Sequence, residues 1–327
     1  MMPQSSADLL ELKDLTSMLA HVTDPLVRVR DLAVLKTSKF ELPLKAISIG
    51  TTRADAPTLV LVGGVHGLER IGSHVVLSYL QSLLGRVGWS TALRSQLQEM
   101  RIVVVPVANP VGMAMGRRSN GNGVDLMRNA PVQSDHALPF FGGQSLTPWL
   151  PYYRGDYGGG EHPELEPELK ALKAFLEAET FQSRFTLALD VHSGFGRIDR
   201  VWFPFARETG PFPHLAEVSS LVQKFEAAFP HHPYKFEPQS ASYCTHGDFW
   251  DYLYQLFYEQ KSELSARALW LPMTLEMGSW MWIKKNPRQL FSFLPCMKAY
   301  HPTIPKAMPP MMFHQFIPPG PRILEAP

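Results

Sequence analysis

The sequence predicts an α/β protein. From about residue 44, short β-branched runs alternate with longer amphipathic ones. Several of the short runs are apolar on both faces, as strands covered by helices must be. With 327 residues the chain is long enough to bury a full core, and a hydrophobic fraction of 45% excludes wholesale disorder.

Taken in order, residues 6–36 carry two short helix-like apolar patterns joined near Thr23-Asp24-Pro25. Residues 1–40 are therefore expected as a helical extension, 41–299 as the main domain and 300–327 as a tail. Strands are expected over 44–49, 58–62, 102–107, 185–191, 201–203 and 273–277. Helices are expected over 69–84, 167–179, 214–229 and 248–258. The second helix has Pro167 near its start and Glu164, Glu166 and Glu168 around its first turn, which suits the missing donor and the positive dipole end. Between 131 and 163 lies a long stretch with little periodicity, holding Phe140-Phe141-Gly142-Gly143, Trp149, Tyr152-Tyr153 and Gly158-Gly159-Gly160. Its aromatic content favours a packed wall over a floppy linker. Seven prolines from Pro302 to Pro321 make the tail an extended segment.

Composition narrows the function. Lys and Arg total 31 against 30 Asp and Glu, so no basic face for nucleic acid is expected. The two cysteines, Cys244 and Cys296, are too few for a disulfide scaffold or a thiolate zinc finger. The N-terminus lacks a basic n-region, and no run of about 18 apolar residues occurs. A soluble cytoplasmic protein is expected, with no membrane or nucleic-acid partner and an oligomeric state left open.

Four segments can carry chemistry. In the first, the apolar run ending at Gly63-Gly64 is followed by His66 and Glu69, just before a helix. Ligand sites in open α/β sheets lie at that end of a strand, and imidazole plus carboxylate is an ordinary zinc-ligand pair. The bare spacing is cheap: chance supplies about one such pair in a chain with 12 histidines, and a polar turn is the plain alternative. His214-Leu215-Ala216-Glu217 has the same spacing without the strand or the glycines, and reads as a helix surface. The second segment ends another apolar strand at Asp190-Val191-His192-Ser193-Gly194. A catalytic zinc needs three protein ligands and an open position, and a pair plus one distant histidine meets that; a hydrogen-bonded buried histidine is the alternative. The third places Glu276 in the apolar run Met273-Thr274-Leu275-Glu276-Met277, where a carboxylate is costly without a partner or a task. A base beside a metal-bound water is such a task; a solvent-facing edge residue is the alternative. The fourth runs from Asn109-Pro110-Val111-Gly112 through Arg117-Arg118-Ser119-Asn120 to Gly123-Val124-Asp125-Leu126-Met127-Arg128-Asn129. Arginine captures carboxylates and stabilises oxyanions; a solvated basic loop is the alternative.

In this order the segments resemble the zinc carboxypeptidases, the carboxypeptidase A-like metallopeptidases of family M14, across roughly residues 44–295. Pro163-Glu164-Leu165-Glu166-Pro167-Glu168 resembles that family's acidic helix start, and Ser242-Tyr243-Cys244-Thr245-His246-Gly247 its mobile-tyrosine loop. The resemblance implies a three-layer α/β/α fold with a mixed central sheet (phosphorylase/hydrolase-like). It implies one zinc per chain, held by His66, Glu69 and His192. Glu276 would be the general base that activates the zinc water, and Arg118 would polarise the scissile carbonyl. Arg128 would bind the terminal carboxylate, with Asn120 nearby in the substrate site and Tyr243 closing over it. Asp190 or a backbone carbonyl would orient an imidazole from behind. Met127 stands where the family normally has asparagine, and a thioether donates no hydrogen bond to a carboxylate. The family's specificity position falls on Trp250, which implies an apolar pocket. The expected activity is that of a metallocarboxypeptidase. A deacylase or amidase of N-acyl amino acids or cell-wall peptides on the same fold is the alternative that Met127 keeps open. A silent binding module would have no reason to keep all five of His66, Glu69, His192, Arg118 and Glu276.

Overall fold

The computed structural model describes residues 9–148, 150–158, 163–196, 198–260 and 268–278. Its strands are β1 (Val27–Lys36), β2 (Glu41–Gly50), β3 (Thr58–Gly63), β4 (Arg101–Val105), β5 (Phe185–Ser193), β6 (Arg200–Phe203), β7 (Lys235–Pro238) and β8 (Leu269–Met277). Its helices are α1 (Leu10–Leu19), α2 (Arg70–Val87), α3 (Thr91–Glu99), α4 (Pro110–Ala114), α5 (Pro167–Thr180), α6 (Leu215–Ala228) and α7 (Phe249–Gln260). The strands form one sheet in the order β1-β2-β4-β3-β5-β8-β6-β7.

The four central strands, β4, β3, β5 and β8, run parallel. The outer pairs β1/β2, β2/β4 and β6/β8 are antiparallel, so the sheet is mixed as expected. Every residue of β4 is buried, and in β3 all but Leu59 are. Burial on both faces requires cover on both sides, which gives three layers. Val60, Val62, Val103 and Val104 have no exposure, and each such side chain contributes about 1.5–3 kcal/mol relative to leaving it in water.

Register does the positioning. Gly63 at the end of β3 pairs with Val191 of β5, and His192 of β5 pairs with Glu276 of β8. Three strand ends therefore lie level on one edge of the sheet. Helix α2 closes on that edge through Gly72, where an added Cβ would lie 2.1 Å from the Val191 carbonyl oxygen. No larger residue lets the start of α2, and Glu69 just before it, come so near His192.

The structure corrects part of the N-terminal expectation. α1 is a helix, docked by the buried Glu11 carboxylate accepting from Arg70 Nε at 2.7 Å and Arg70 Nη2 at 2.5 Å. The second helix-like pattern is instead the edge strand β1, so the boundary expected at residue 40 falls inside the sheet. A bulge between Asp31 and Ala33 explains the misreading. The extra residue shifts the two-residue alternation by one and gives apolar spacings that mimic a helical stripe. α3 and β7 were not anticipated: α3 is short, and β7 is a four-residue edge strand with too few positions to show a period. The remaining expected strands and helices are present, and their bounds move by a few residues. No described helix is long and apolar enough to cross a membrane. Residues 1–8, Trp149, Gly159-Gly160, Cys296 and the tail over 300–327 lie outside the described residues.

Candidate active site and metal centre

His66, Glu69 and His192 converge. Their ligand atoms all lie within 4.8 Å of one another, and all three side chains are buried. Nδ1 of His66 sits 3.0 Å from Glu69 Oε1, and Nδ1 of His192 sits 3.1 Å from Glu69 Oε2. The two Nδ1 atoms are 3.1 Å apart.

The outer nitrogens show why the rings face this way. His66 Nε2 lies 3.1 Å from Asp125 Oδ1, and His192 Nε2 lies 2.6 Å from Asp190 Oδ2. A proton on each Nε2, donated to its carboxylate, leaves both Nδ1 lone pairs aimed at the common point. Two imidazole lone pairs and a carboxylate turned on one another repel unless a cation lies among them. The charge balance says the same. Burial raises the Glu69 carboxyl, but His66 and His192 hold it well below the usual carboxylate range. Burial disfavours a charged His192, yet Asp190 outweighs it and pushes the imidazole well above its ordinary value. The cluster demands a positive charge, and a divalent ion with nitrogen and oxygen ligands supplies one. The residues present fit zinc.

Asp125 was missed in the sequence, and it joins two parts of the site. Besides accepting from His66, it takes Arg118 Nε at 2.7 Å, and Arg118 Nη1 reaches Glu69 Oε1 at 3.3 Å. Burial raises the Asp125 carboxyl, but Arg118 and then His66 hold it well below its ordinary value. Asp125 also caps the short 3₁₀ turn Leu126–Arg128 by accepting from the Met127 amide at 3.0 Å. One carboxylate thus fixes a metal ligand, a guanidinium and the turn that carries Arg128. The signal was present, since an Asp directly before a buried turn is a cap, but its reach to His66 crosses 59 positions.

Glu276 lines the same cavity as the three metal-ligand candidates. Its Oε1 accepts from the Phe195 amide at 3.0 Å. Burial first, and the charge of Glu69 second, push its carboxyl up to about 8. A carboxylate held that ready to take a proton suits a general base.

Arg118, Met127, Arg128 and Tyr243 also line the cavity. Arg128 is 2% exposed; its Nη1 donates to the Met127 carbonyl at 3.0 Å, while Nη2 has no partner among the described residues. Gly247, at φ +70°, is what lets the tyrosine loop pass over it, because a Cβ there would lie 1.8 Å from the Arg128 carbonyl oxygen.

Two expected substrate residues lie elsewhere. Asn120 donates its amide to Glu166 Oε2 at 2.7 Å and Glu168 Oε2 at 3.0 Å, and its Oδ1 accepts from Asn122 and Val124 amides. It ties the arginine loop to the start of α5 and is not at the cavity wall. Trp250 is buried behind the wall, donating Nε1 to Asp190 Oδ2 at 2.8 Å. It supports His192 through Asp190. In the cavity lining, the nearest residue of that segment is Asp248, whose Oδ1 caps α7 by accepting from the Trp250 and Asp251 amides. The apolar character expected of the pocket comes instead from Phe141, Tyr152, Phe195, Trp202 and Tyr243.

The sequence profile of the zinc carboxypeptidases (peptidase M14) matches residues 28–323. The chain belongs to the zinc carboxypeptidase family. Among curated relatives, the carboxypeptidase N catalytic chain of Rattus norvegicus is 26% identical over 167 residues, covering 44% of this chain and 33% of the relative. An inactive metallocarboxypeptidase of Ajellomyces dermatitidis is 27% identical over 202 residues, covering 55% of this chain and 32% of the relative. The matches thus span about a third of the length of these curated relatives. Among solved structures, carboxypeptidase A of Helicoverpa armigera superposes with a TM-score of 0.61 at 18% identity, over 82% of this chain and 64% of that one. Thrombin-activatable fibrinolysis inhibitor superposes with a TM-score of 0.60 at 20% identity, over 84% and 66%. These likenesses place the mixed sheet and its helices in the carboxypeptidase fold.

Proposed function

We propose that the protein is a zinc-dependent metallocarboxypeptidase that cuts the last peptide bond of substrates with a free terminal carboxylate. One observation carries this reading: a single cavity holds three converging metal donors, an elevated carboxyl, the half-buried Arg118 and the buried Arg128 with its unpartnered Nη2. His66, Glu69 and His192 would hold a zinc ion, which would supply Lewis acidity and make water more acidic. Glu276 takes a proton from the attacking water and returns it to the leaving amine nitrogen. Arg118 donates to the carbonyl oxygen as negative charge grows there. Asp125 and Glu69 keep that guanidinium charged and aimed despite its burial. Arg128 pairs with the terminal carboxylate through its free edge. The rings of Tyr243, Phe195 and Trp202 keep bulk water from the reacting bond.

A relative described as inactive is similar to part of this chain in sequence, so activity of this chain rests on its own residues. His66, Glu69, His192, Glu276 and Arg118 all line one cavity, which supports the active reading. Met127, beside Arg128, favours a second reading: hydrolysis of an amide in an N-acyl amino acid or a cell-wall peptide, with the carboxylate held differently.

The test is turnover of benzoyl-Gly-Phe, its C-terminal carboxamide and an N-acetyl amino acid by zinc-loaded protein, with and without chelator. The expected result is chelator-sensitive cleavage of the free acid, at least a hundredfold faster than the carboxamide. Cleavage of the N-acetyl amino acid alone would transfer the reading to the second.

A further inference from the structure

Tyr152 belongs to none of the motifs above, yet it lines the cavity next to both Arg118 and Arg128. Its backbone has φ 66°, a conformation that is uncommon for a non-glycine residue and, for a bulky one, is kept only where the surroundings hold it. The surroundings do hold it: its carbonyl accepts the Gln144 amide at 3.0 Å, and the Arg154 amide donates to the Gln144 carbonyl at 3.1 Å. The ring then packs against Phe141 with centroids 4.7 Å apart. The Arg118 guanidinium carbon lies 4.8 Å from the ring centroid. That of Arg128 lies 5.8 Å from it and 5.8 Å from the Tyr243 ring. One phenol therefore touches both guanidiniums of the site, and two tyrosines share Arg128.

The hydroxyl has no hydrogen-bond partner among the described residues. Burial, against the opposing charge of Arg118 and Arg128, pushes its pKa up to about 12, so it remains a donor at neutral pH. Beside it Met127 offers no donor, and Arg128 Nη2 is unpartnered. The wall of one cavity thus carries an unpartnered Arg128 Nη2 and, on the neighbouring Tyr152, a phenol without a hydrogen-bond partner among the described residues.

We infer that Tyr152 is a substrate-binding residue: its hydroxyl is the second donor to the substrate's terminal carboxylate, in the place that Met127 cannot fill, while its ring holds Arg118 and Arg128 in position. The inference rests on the proposed carboxypeptidase reading and names the group that sets its preference for a free carboxylate. Two variants separate the hydroxyl from the ring. Tyr152→Phe keeps the ring, its packing and its backbone conformation, and removes only the donor. Tyr152→Ala removes the surface on which both arginines lie.

The experiment measures binding of benzoyl-Gly-Phe and of its carboxamide by calorimetry, in zinc-loaded Glu276→Gln protein, alongside KM and kcat in the otherwise unaltered enzyme. Loss of one charge-assisted hydrogen bond should weaken binding of the free acid about tenfold in Tyr152→Phe, with the loss in KM rather than kcat. The carboxamide should weaken by less than threefold. Tyr152→Ala should also lower kcat, because Arg118 loses its support. Equal weakening of acid and carboxamide by Tyr152→Phe, no weakening of either, or no binding of the free acid to the parent protein would overturn the inference. If the free acid binds in a Tyr152-dependent way but is not cut, the hydrolytic reading fails and the inference stands.

Discussion

The metal corner and the carboxylate wall of this cavity are built in opposite ways. His66, His192 and Glu276 sit at or just past the ends of parallel strands whose register fixes them, and Glu69 precedes the helix that packs on those strands. Arg128, Phe141, Tyr152 and Tyr243 come from irregular chain between 126 and 152 and between 239 and 248. The first region is held by a ladder of backbone bonds in which few alternatives exist. The second is held by single contacts: the Asp125 cap, the Gln144–Tyr153 bridge, and the Gly247 crossing. Chemistry that needs fixed distances lies on the sheet, and recognition that must admit different substrates lies on the loops.

That contrast gives an order of expected effects. Glu276→Gln strikes the rigid corner at its proton carrier. It should lower kcat by about a thousandfold while zinc content stays near one per chain, measured by metal analysis and peptide turnover. If zinc is lost instead, Glu276 is a ligand. The same variant has a signature in metal-free protein. Burial raises the Glu276 carboxyl from the ordinary 4.5 to about 8, so the folded chain binds this proton more tightly than the unfolded one. Its contribution to stability is full below about pH 4.5 and is lost as pH rises through about 8. Glu276→Gln should therefore raise the melting temperature of chelated protein at pH 8.5 and leave it nearly unchanged at pH 4.5. A gain confined to low pH would contradict the assignment.

Asp125→Asn strikes the joint between the two regions. It should weaken zinc affinity about 10–100-fold in a competition titration, and lower kcat further because Arg118 loses its Nε partner. An effect on only one of the two would mean that Asp125 does not couple them. Met127→Asn acts on the loop wall alone. It should lower KM for the free-acid peptide by several-fold and leave zinc affinity as it is. An unchanged KM would mean that the carboxylate is bound away from Arg128.

How much of this could be read from the sequence follows the same division. The strand-end histidines and Glu276 stood out because an apolar run interrupted by a polar residue before glycine is a local pattern. The sheet needed only period and composition. β1 was hidden by a bulge, a one-residue irregularity that looks helical in one dimension. Asn120 and Trp250 were placed at the substrate by family resemblance, yet their side chains are committed to Glu166, Glu168 and Asp190. Tyr152 was legible only as one aromatic in a wall, because its meaning depends on two arginines 34 and 24 positions away. Asp125 and Asp190 do the same work for two histidines; only Asp190, two residues from its partner, was foreseen.

The turned-in Nδ1 atoms of His66 and His192 and the Glu69 carboxylate are arranged to surround a metal ion. Anomalous diffraction at the zinc edge, from crystals of zinc-loaded protein, tests it directly. The expected result is one strong peak per chain, within bonding distance of His66 Nδ1, His192 Nδ1 and a Glu69 oxygen, absent in His192→Ala. Zinc bound only at other side chains, or the same peak persisting in His192→Ala, would contradict it.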